Sequence, residues 1–304
     1  KIQKIKTTHR EKMIETIKPY RSVLYMPGAN TRALYKARSL KADAIIFDLE
    51  DAVAVNEKIT ARENVAQALK ETGYGKRSLI VRINGLSTDW WEDDLKMVAD
   101  SNCDAILIPK VDSKNDIRKV IERLDSIGSA AAFNTRIWAM IETPDGILNA
   151  SEISRASSRV EGFVMGTNDL QKELNTRYVS NRGPLITSLS LCVLAAKSAG
   201  IICVDGVYNA FKDEVGLLTE AEQGRDLGFD GKTVIHPLQL EIVNKTFAPS
   251  LEEKDLYIRQ IKAFEEAIKE GKGVAVLDGK IVENLHVEIA KRNLGLMTAI
   301  EELE

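Results

Sequence analysis

The chain has 304 residues, of which 44% are hydrophobic and 29% charged, with a formal net charge of −3 at pH 7. This composition is typical of a globular protein, and the weak negative charge argues against a nucleic-acid or anionic-membrane partner. No apolar stretch approaches the roughly 18 residues that a membrane-spanning helix requires. The basic start, residues 1–20, is predicted as a helix without the apolar core of a signal peptide, so a cytoplasmic location is expected.

Eight short apolar or β-branched runs are predicted as strands. They are nearly continuous in hydrophobicity, as expected for parallel strands buried on both faces. The runs are Ser22–Met26, Ala44–Asp48, Leu79–Ile83, Ala105–Ile108, Arg136–Ile141, Gly162–Met165, Ile201–Val204 and Lys232–Ile235. Amphipathic helix patterns lie between them: Thr31–Leu40, Asn56–Thr72, Asp89–Asp100, Ser113–Ser126, Leu185–Ala199 and Glu214–Leu227. This alternation predicts an α/β fold, a (β/α)₈ TIM barrel.

The pattern changes after the eighth strand. Ser250–Lys272 is predicted as a long charged helix, and Val274–Leu277 and Lys280–Val282 as a hairpin around the turn dipeptide Asp278-Gly279. Glu283–Ile300 is helical again. We therefore predict a barrel with an N-terminal helix over residues 1–249 and a C-terminal helical and hairpin extension over residues 250–304. The extension is too short for a core of its own, so it is expected to pack on the barrel or on a neighbouring subunit.

The three cysteines and three histidines restrict the chemistry. They are Cys103, Cys192, Cys203, His9, His236 and His286. The cysteines are scattered in apolar surroundings, so we expect buried free thiols, not disulfides, zinc ligands or a nucleophile. The histidines do not cluster, which makes a zinc or non-haem iron site unexpected. Any metal should have oxygen ligands and be Mg²⁺ or Mn²⁺.

Polar residues follow nearly every predicted strand. They are Met26-Pro27-Gly28-Ala29-Asn30, Asp48-Leu49-Glu50-Asp51, Arg82-Ile83-Asn84-Gly85, Pro109-Lys110, Glu142, Gly166-Thr167-Asn168-Asp169 and Asp205-Gly206. The carboxyl ends of parallel strands meet at one face of a barrel, where catalytic residues collect. The sequence therefore predicts an active site on this face.

Glu142 and Asp169 are predicted to bind a metal. Two carboxylates brought together repel each other, and a hard cation between them removes that repulsion. The alternative is that they serve as helix caps or in ion pairs. The Gly166-Thr167-Asn168 turn before Asp169 has N–H groups that could bind a substrate carboxylate beside the cation, and the turn at Pro27-Gly28 could likewise leave N–H groups free for an anion.

Arg82 is predicted as a clamp for a substrate carboxylate, because a guanidinium group can bind a carboxylate through two parallel hydrogen bonds. The alternative is a salt bridge to Asp48 or Glu50. Those acids and Asp51 are either catalytic or serve to orient Arg82 and metal-bound water. Lys110 is a further candidate for substrate binding. His236, before Pro237, is either functional or a capping residue.

Several motifs in fixed order resemble the citrate lyase beta-subunit-like (CitE-like) and malyl-CoA lyase family of the HpcH/HpaI aldolase superfamily. They are Arg21–Gly28, Ile46–Val53, Val81–Asn84, Ile108–Val111, Ile141–Thr143 and Asp230–Pro237. Gly166–Lys172, Asp205–Val207 and Val282–Val287 look most like the branch with β-methylmalyl-CoA lyase and (3S)-malyl-CoA thioesterase.

The resemblance implies a Mg²⁺-dependent barrel that acts on a coenzyme A thioester and a small keto or hydroxy acid, in homotrimers or homohexamers. By motif, Glu142 and Asp169 match the metal ligands, and Arg82 matches the residue that contacts the keto-acid or thioester oxygen. Many members have an acid/base Asp in the C-terminal hairpin that reaches a neighbouring subunit's site. Glu283 occupies that position here, and its longer side chain could favour hydrolysis over aldol-type cleavage.

Four functions follow from this resemblance. The first is C–C cleavage of malyl-CoA, β-methylmalyl-CoA or a citryl-type thioester, and the second is hydrolysis of (3S)-malyl-CoA at the same site. The third is a metal-dependent aldolase acting on free 2-keto acids, against which the C-terminal extension argues because it could cover a bulky thioester. The fourth is a citrate lyase beta subunit that works only with partner subunits.

Overall fold

The computed structural model describes residues 17–71 and 73–304. Most of the predicted N-terminal helix lies outside these residues. By its internal contacts the chain divides into two compact units, one of residues 20–248 with Leu303, the other of the described part of residues 1–19 with residues 249–302 and Glu304. None of the described helices is long and apolar enough to span a bilayer.

The first unit is a closed barrel of eight parallel strands in sequential order, with the eighth paired to the first. This confirms the predicted TIM barrel. The strands are β1 Ser22–Pro27, β2 Ala44–Asp48, β3 Ser78–Arg82, β4 Ala105–Ile108, β5 Arg136–Ile141, β6 Val160–Met165, β7 Ile202–Asp205 and β8 Gly231–Val234. All eight predicted strands occur, with some ends displaced by one or two residues.

Eleven α-helices of the described chain surround the barrel. They are α1 Thr31–Ala37, α2 Lys58–Lys70, α3 Trp91–Ala99, α4 Lys114–Ile127, α5 Ala130–Asn134, α6 Pro144–Leu148, α7 Ala150–Ile153, α8 Thr167–Glu173, α9 Ile186–Ala199, α10 Glu214–Leu227 and α11 Leu240–Phe247. Short 3₁₀ turns occur at Val55–Glu57, Gly183–Leu185 and Pro237–Gln239. Gly200 and Gly228 end α9 and α10 in the left-handed conformation that glycine adopts without strain.

Side chains along each strand alternate between two apolar clusters, because successive residues of a strand point to opposite faces. In β2, Ala44 and Ile46 belong to the cluster that fills the barrel, whereas Ile45 and Phe47 pack towards the surrounding helices. The inward series of β2 then continues to Asp48. In β3 the same alternation places Ile80 and Arg82 on the inner face of the barrel.

The second unit consists of α12 Leu251–Lys269, the strands β9 Ala275–Leu277 and β10 Lys280–Val282, and α13 Asn284–Leu303. The two strands form the predicted antiparallel hairpin, in which Lys280 pairs with Leu277. Asp278 and Gly279 both have positive φ, as a two-residue hairpin turn requires. A small cluster of buried side chains connects these elements: Ala267, Ala275, Val282 and Val287.

The three cysteines are free thiols, as predicted; Cys192 and Cys203 are buried, and Cys103 is half-buried. Burial raises the pKa of Cys103 and Cys192 to about 12. A thiol with such a pKa remains protonated at neutral pH, so these two side chains are not poised as nucleophiles.

Candidate active site

A cavity of about 330 Å³ lies at the carboxyl ends of the barrel strands. We call it the acid-lined cavity, because four carboxylates line it: Asp48, Asp51, Glu142 and Asp169. The other lining residues are Tyr25, Ala52, Arg82, Met140, Met165, Gly166, Thr167, Asn168, Val207, Asn209 and Ile235. Ligand sites of TIM barrels occur at this face, so this is the candidate active site.

Glu142 lies at the end of β5, two residues beyond Met140, and only 3% of its surface is exposed. Its Oε1 accepts a hydrogen bond of 2.8 Å from the backbone N–H of Lys110. The carboxylate fits only because residue 166 is glycine, since a Cβ there would lie 2.3 Å from Oε2 of Glu142. Because Gly166 has no side chain, it leaves room for the Glu142 carboxylate beside the turn that contains Asp169.

Burial raises the pKa of Glu142 to about 8, against the hydrogen bond from Lys110, and the negative charge of Asp169 adds to the rise. Asp169 is the third residue of α8, is half-buried and lines the same cavity. The structure therefore places the two predicted metal ligands in one cavity, close enough for the charge of Asp169 to raise the pKa of Glu142.

The charges around the cavity also favour a divalent cation. Four carboxylates and one cationic side chain line it, namely Asp48, Asp51, Glu142, Asp169 and Arg82, and a fifth carboxylate, that of Glu50, lies 3.0 Å from Nη1 of Arg82. Across residues 17–71 and 73–304, no three or more His, Cys, Asp or Glu side chains are grouped to hold a metal. Two carboxylates still fit Mg²⁺, which protein sites commonly bind through one or two carboxylates, with waters and substrate completing the shell.

In the absence of divalent cations, the stability of the protein is expected to fall as the pH rises. Because the pKa of Glu142 is raised from 4.5 to about 8, the folded state retains a proton that the unfolded chain releases. This contribution is complete below pH 4.5 and is lost as the pH rises through 8. Urea midpoints measured with EDTA should decline more steeply for the parent than for Glu142→Gln. Parallel pH profiles would contradict the assignment.

Arg82, at the end of β3, is held by Asp48 of the neighbouring strand. Its Nε donates to Oδ1 of Asp48 at 2.7 Å and its Nη2 to Oδ2 at 2.6 Å. This is the predicted salt-bridge alternative, and it occupies the two-donor face of the guanidinium that a substrate clamp would need. The remaining Nη1 lies 3.0 Å from Glu50, so any contact between Arg82 and a substrate oxygen would use this single edge.

Replacing Arg82 by lysine is expected to lower kcat/KM at least about tenfold, a loss of about 1.4 kcal/mol. A lysine ammonium cannot reproduce the two parallel bonds to Asp48 and also present a third donor to the cavity. Steady-state kinetics measure the loss, and Arg123→Lys is the matched control on α4, where the half-buried arginine pairs with Glu92. Near-parental kinetics would show that Arg82 contributes only a structural ion pair.

Asp48 organises the loop after β2. It is 1% exposed, and its two oxygens accept the backbone N–H groups of Glu50 and Ala52 in addition to the bonds from Arg82. With both oxygens used, Asp48 is placed to orient Arg82. Glu50 lies against Nη1 of Arg82, and burial raises the pKa of its carboxyl, against the opposing charge of Arg82.

Lys110 contributes to the site mainly through its backbone N–H, which donates to Glu142. Its φ of 50° lies in the left-handed region, and in this conformation its N–H donates to Glu142. The side chain is exposed, and its Nζ lies 3.7 Å from Oε1 of Glu50. Neither Lys110 nor Glu50 lines the acid-lined cavity, so substrate binding by Lys110 stays a prediction.

The turn after β1 differs from the predicted anion site. Pro27 has no N–H, the N–H of Gly28 donates to the carbonyl of Asp48 at 2.8 Å, and that of Asn30 donates to Pro27. These groups hold β1 to β2, and a Cβ at Gly28 would lie 2.9 Å from the same Asp48 carbonyl. The prediction of free donors is therefore wrong for Gly28 and Asn30.

His236 has the capping role that was one of its two predicted alternatives. Its Nδ1 accepts the N–H of Leu238, and its ring stacks on Phe211 with centroids 4.4 Å apart.

Glu283 is exposed at the start of α13, in the second unit, where its N–H donates to Nδ1 of His286. Its predicted role in acid/base catalysis stays a prediction.

Three polar residues that line or support the site were not predicted from the sequence. Tyr25 lines the cavity with its ring 5.0 Å from the guanidinium carbon of Arg82, and burial raises its pKa. Lys58 is buried and donates to the carbonyls of Leu49 and Glu50. Asn209 lines the cavity and pairs with Asn168. Only Tyr25 had a signal in the sequence, since it follows Val23 at the inward spacing of two.

The comparisons with known proteins agree with this fold. The family model described as HpcH/HpaI aldolase/citrate lyase matches residues 21–237. The (3S)-malyl-CoA thioesterase of Cereibacter sphaeroides strain ATCC 17025 is 55% identical over 282 residues, covering 93% of this chain and 96% of that protein. Citrate lyase subunit beta of Escherichia coli K12 is 38% identical over 274 residues, covering 89% and 91%.

Solved structures of CitE and of a citrate lyase beta subunit are similar in fold to this chain. The protein CitE from Mycobacterium tuberculosis, in complex with magnesium, acetoacetate and coenzyme A, has a TM-score of 0.74 and 26% identity, covering 92% of this chain and 97% of that chain. A citrate lyase beta subunit from M. tuberculosis, complexed with oxaloacetate and magnesium, has a TM-score of 0.65 and 29% identity, covering 76% and 98%.

Proposed function

Because the chain belongs to the HpcH/HpaI aldolase/citrate lyase family, we propose that it is a Mg²⁺-dependent enzyme acting on malyl-CoA or a closely related acyl-CoA thioester. The family predicted from the motifs is thereby confirmed. The observation that carries the proposal is the pairing of Glu142 with Asp169 in a cavity at the catalytic face of the barrel. Relatives named for malyl-CoA and citrate chemistry supply the substrate class.

In this proposal Glu142 and Asp169 hold the cation, with Mn²⁺ as a possible substitute. The two M. tuberculosis structures contain magnesium, which supports this choice of metal. When bound, Mg²⁺ would act as a Lewis acid that stabilises negative charge on the substrate oxygens. The backbone N–H of Lys110 and the missing Cβ of Gly166 keep Glu142 in place for this role.

The other residues of the site position the substrate and move the proton. Arg82, oriented by Asp48, would present Nη1 to the oxygen that gains negative charge. Gly166, Thr167 and Asn168 would contact the carboxylate of the acyl group. Glu283, supplied by a neighbouring subunit of a homotrimer or homohexamer, would transfer the proton.

Two reactions are compatible with these roles. In hydrolysis, water attacks the thioester carbonyl, the C–S bond breaks, and malate and the coenzyme A thiol are released. The relative at 55% identity, a (3S)-malyl-CoA thioesterase, favours this reaction. In C–C cleavage, the hydroxyl loses its proton, the bond between its carbon and the carbon next to the thioester carbonyl breaks to release glyoxylate, and the enolate that remains takes up a proton to become acetyl-CoA. The citrate lyase beta relatives at 38% identity favour this second reaction.

Incubation with malyl-CoA, β-methylmalyl-CoA and citryl-CoA in the presence of Mg²⁺ tests the proposal. Malate, glyoxylate, oxaloacetate and free thiol are measured separately. Thiol with equimolar malate would identify hydrolysis, and glyoxylate without early thiol release would identify C–C cleavage. Inactivity on all three, with activity on a citryl group attached to an acyl carrier, would instead support a beta subunit that depends on partners.

A further inference from the structure

A second cavity of about 310 Å³ adjoins the acid-lined cavity. Four residues line both cavities and therefore form the boundary between them: Thr167, Asn168, Val207 and Asn209. None of the five carboxylates of the candidate active site lines the second cavity. It thus adds space beside the proposed reaction centre without belonging to the proposed metal site.

The boundary contains a reciprocal pair of side-chain amides. Nδ2 of Asn209 donates to Oδ1 of Asn168 at 2.8 Å, and Nδ2 of Asn168 donates to Oδ1 of Asn209 at 3.2 Å. Asn168 belongs to the first turn of α8, next to Asp169, while Asn209 follows β7. The pair therefore connects the loops after two neighbouring strands at the point where the two cavities meet.

The walls of the second cavity are mostly apolar. They include Val179, Pro184, Leu185, Ala210 and the ring of Tyr178. Its two most buried charged residues, Arg182 and Glu220, already have partners, since Arg182 binds Asp205 and Glu220 binds Lys232. The apolar part of this wall is suited to an alkyl group, and the exposed Arg177 is the third charged residue that lines the cavity.

We infer that Asn209 is a specificity-determining residue, which through its pairing with Asn168 limits the size of the acyl group that the enzyme accepts. The inference rests on the proposed function, because it places the acyl part of the thioester in the acid-lined cavity. Removing the Asn209 side chain opens the boundary. An alkyl branch on the acyl group then extends into the second cavity, while the reacting atoms stay beside Glu142 and Asp169.

The test compares the reaction of malyl-CoA with that of an analogue carrying a propyl branch on the carbon next to the thioester carbonyl. Free thiol counts hydrolysis and glyoxylate counts C–C cleavage, and the two rates are added so that either reaction is included. In Asn209→Ala, the ratio of kcat/KM for the branched analogue to that for malyl-CoA is expected to rise at least tenfold over the parent ratio. Asn209→Ser is the second variant, should the alanine variant fail to fold.

Val179→Phe is the matched control, because Val179 lines only the second cavity. Alone it should leave malyl-CoA kinetics unchanged, and combined with Asn209→Ala it should cancel the gain for the branched analogue. An unchanged ratio in both Asn209 variants overturns the inference, as does a gain that persists when Val179→Phe fills the cavity. A parent protein inactive on malyl-CoA, β-methylmalyl-CoA and citryl-CoA overturns the proposed function and this inference with it.

Discussion

Replacing Glu142 by alanine is expected to abolish Mg²⁺ binding and to reduce turnover by a factor on the order of 10³ or more, while the barrel remains folded. Loss of metal catalysis removes several kcal/mol of transition-state stabilisation, and each 1.36 kcal/mol is about tenfold in rate. The fold should survive, because burial raises the pKa of Glu142 and its charge is therefore unfavourable to folding at neutral pH. Only the hydrogen bond from the N–H of Lys110 is lost.

Isothermal titration with Mg²⁺, steady-state kinetics and circular dichroism measure the three parts of this expectation separately. Asp169→Ala should behave in the same way. Glu152→Ala is the control, because Glu152 is an acid on the short helix α7 whose partner is the exposed Lys114. A Glu142 variant that binds Mg²⁺ with parental affinity would rule out its role as a ligand.

The barrel could be predicted because its physical signals are local. Each strand is a short run with side chains buried on both faces, and each helix between strands has its own amphipathic pattern. The short helices Pro144–Leu148, Ala150–Ile153 and Thr167–Glu173 were not predicted. They are too brief to show helical periodicity, and Thr167–Glu173 begins inside a motif that reads as a turn.

The carboxylates of the site could be predicted because they follow the carboxyl ends of the strands, which meet at one face of the barrel. The partner of Arg82 could not, since Asp48, Glu50 and Asp51 were equal candidates in the sequence. The register between the strands determines which acid binds Arg82. Asp48 of β2 lies opposite Arg82 of β3, so their side chains share the inner face of the barrel. A register between strands is a long-range property, which a single sequence does not contain.

Lys58 and Asn209 could not be found from the sequence for a similar reason. Lys58 begins α2, where a lysine normally faces solvent, yet it is buried and holds the carbonyls of Leu49 and Glu50. Asn209 pairs with Asn168, 41 residues away. Both roles depend on loops whose paths become defined only when the barrel has closed.

The hairpin that precedes Glu283 has an exposed apolar face. Glu283 directly follows β10, in which Val282 is buried in the small cluster of the second unit, while the preceding Ile281 is 62% exposed. Ile281 and its cross-strand partner Val276, which is 70% exposed, form an apolar pair on the open face of the hairpin. Exposed apolar surface of this kind is typical of an interface, which supports the proposal that the hairpin docks on a neighbouring subunit.

Mixing Glu142→Ala with Glu283→Gln is therefore expected to restore activity that neither variant has alone. If each site combines the barrel of one subunit with Glu283 of the next, random equimolar exchange leaves about one quarter of the sites intact, since each half is parental with probability one half. If Glu283 acts within its own chain, every site retains one of the two substitutions and stays inactive. The subunits are dissociated, mixed and reassembled, and exchange is verified by native mass spectrometry on differently tagged variants before thiol release is assayed. Each variant reassembled with itself is the control, and a mixture that exchanges fully but stays inactive would place Glu283 in its own chain's site or outside catalysis.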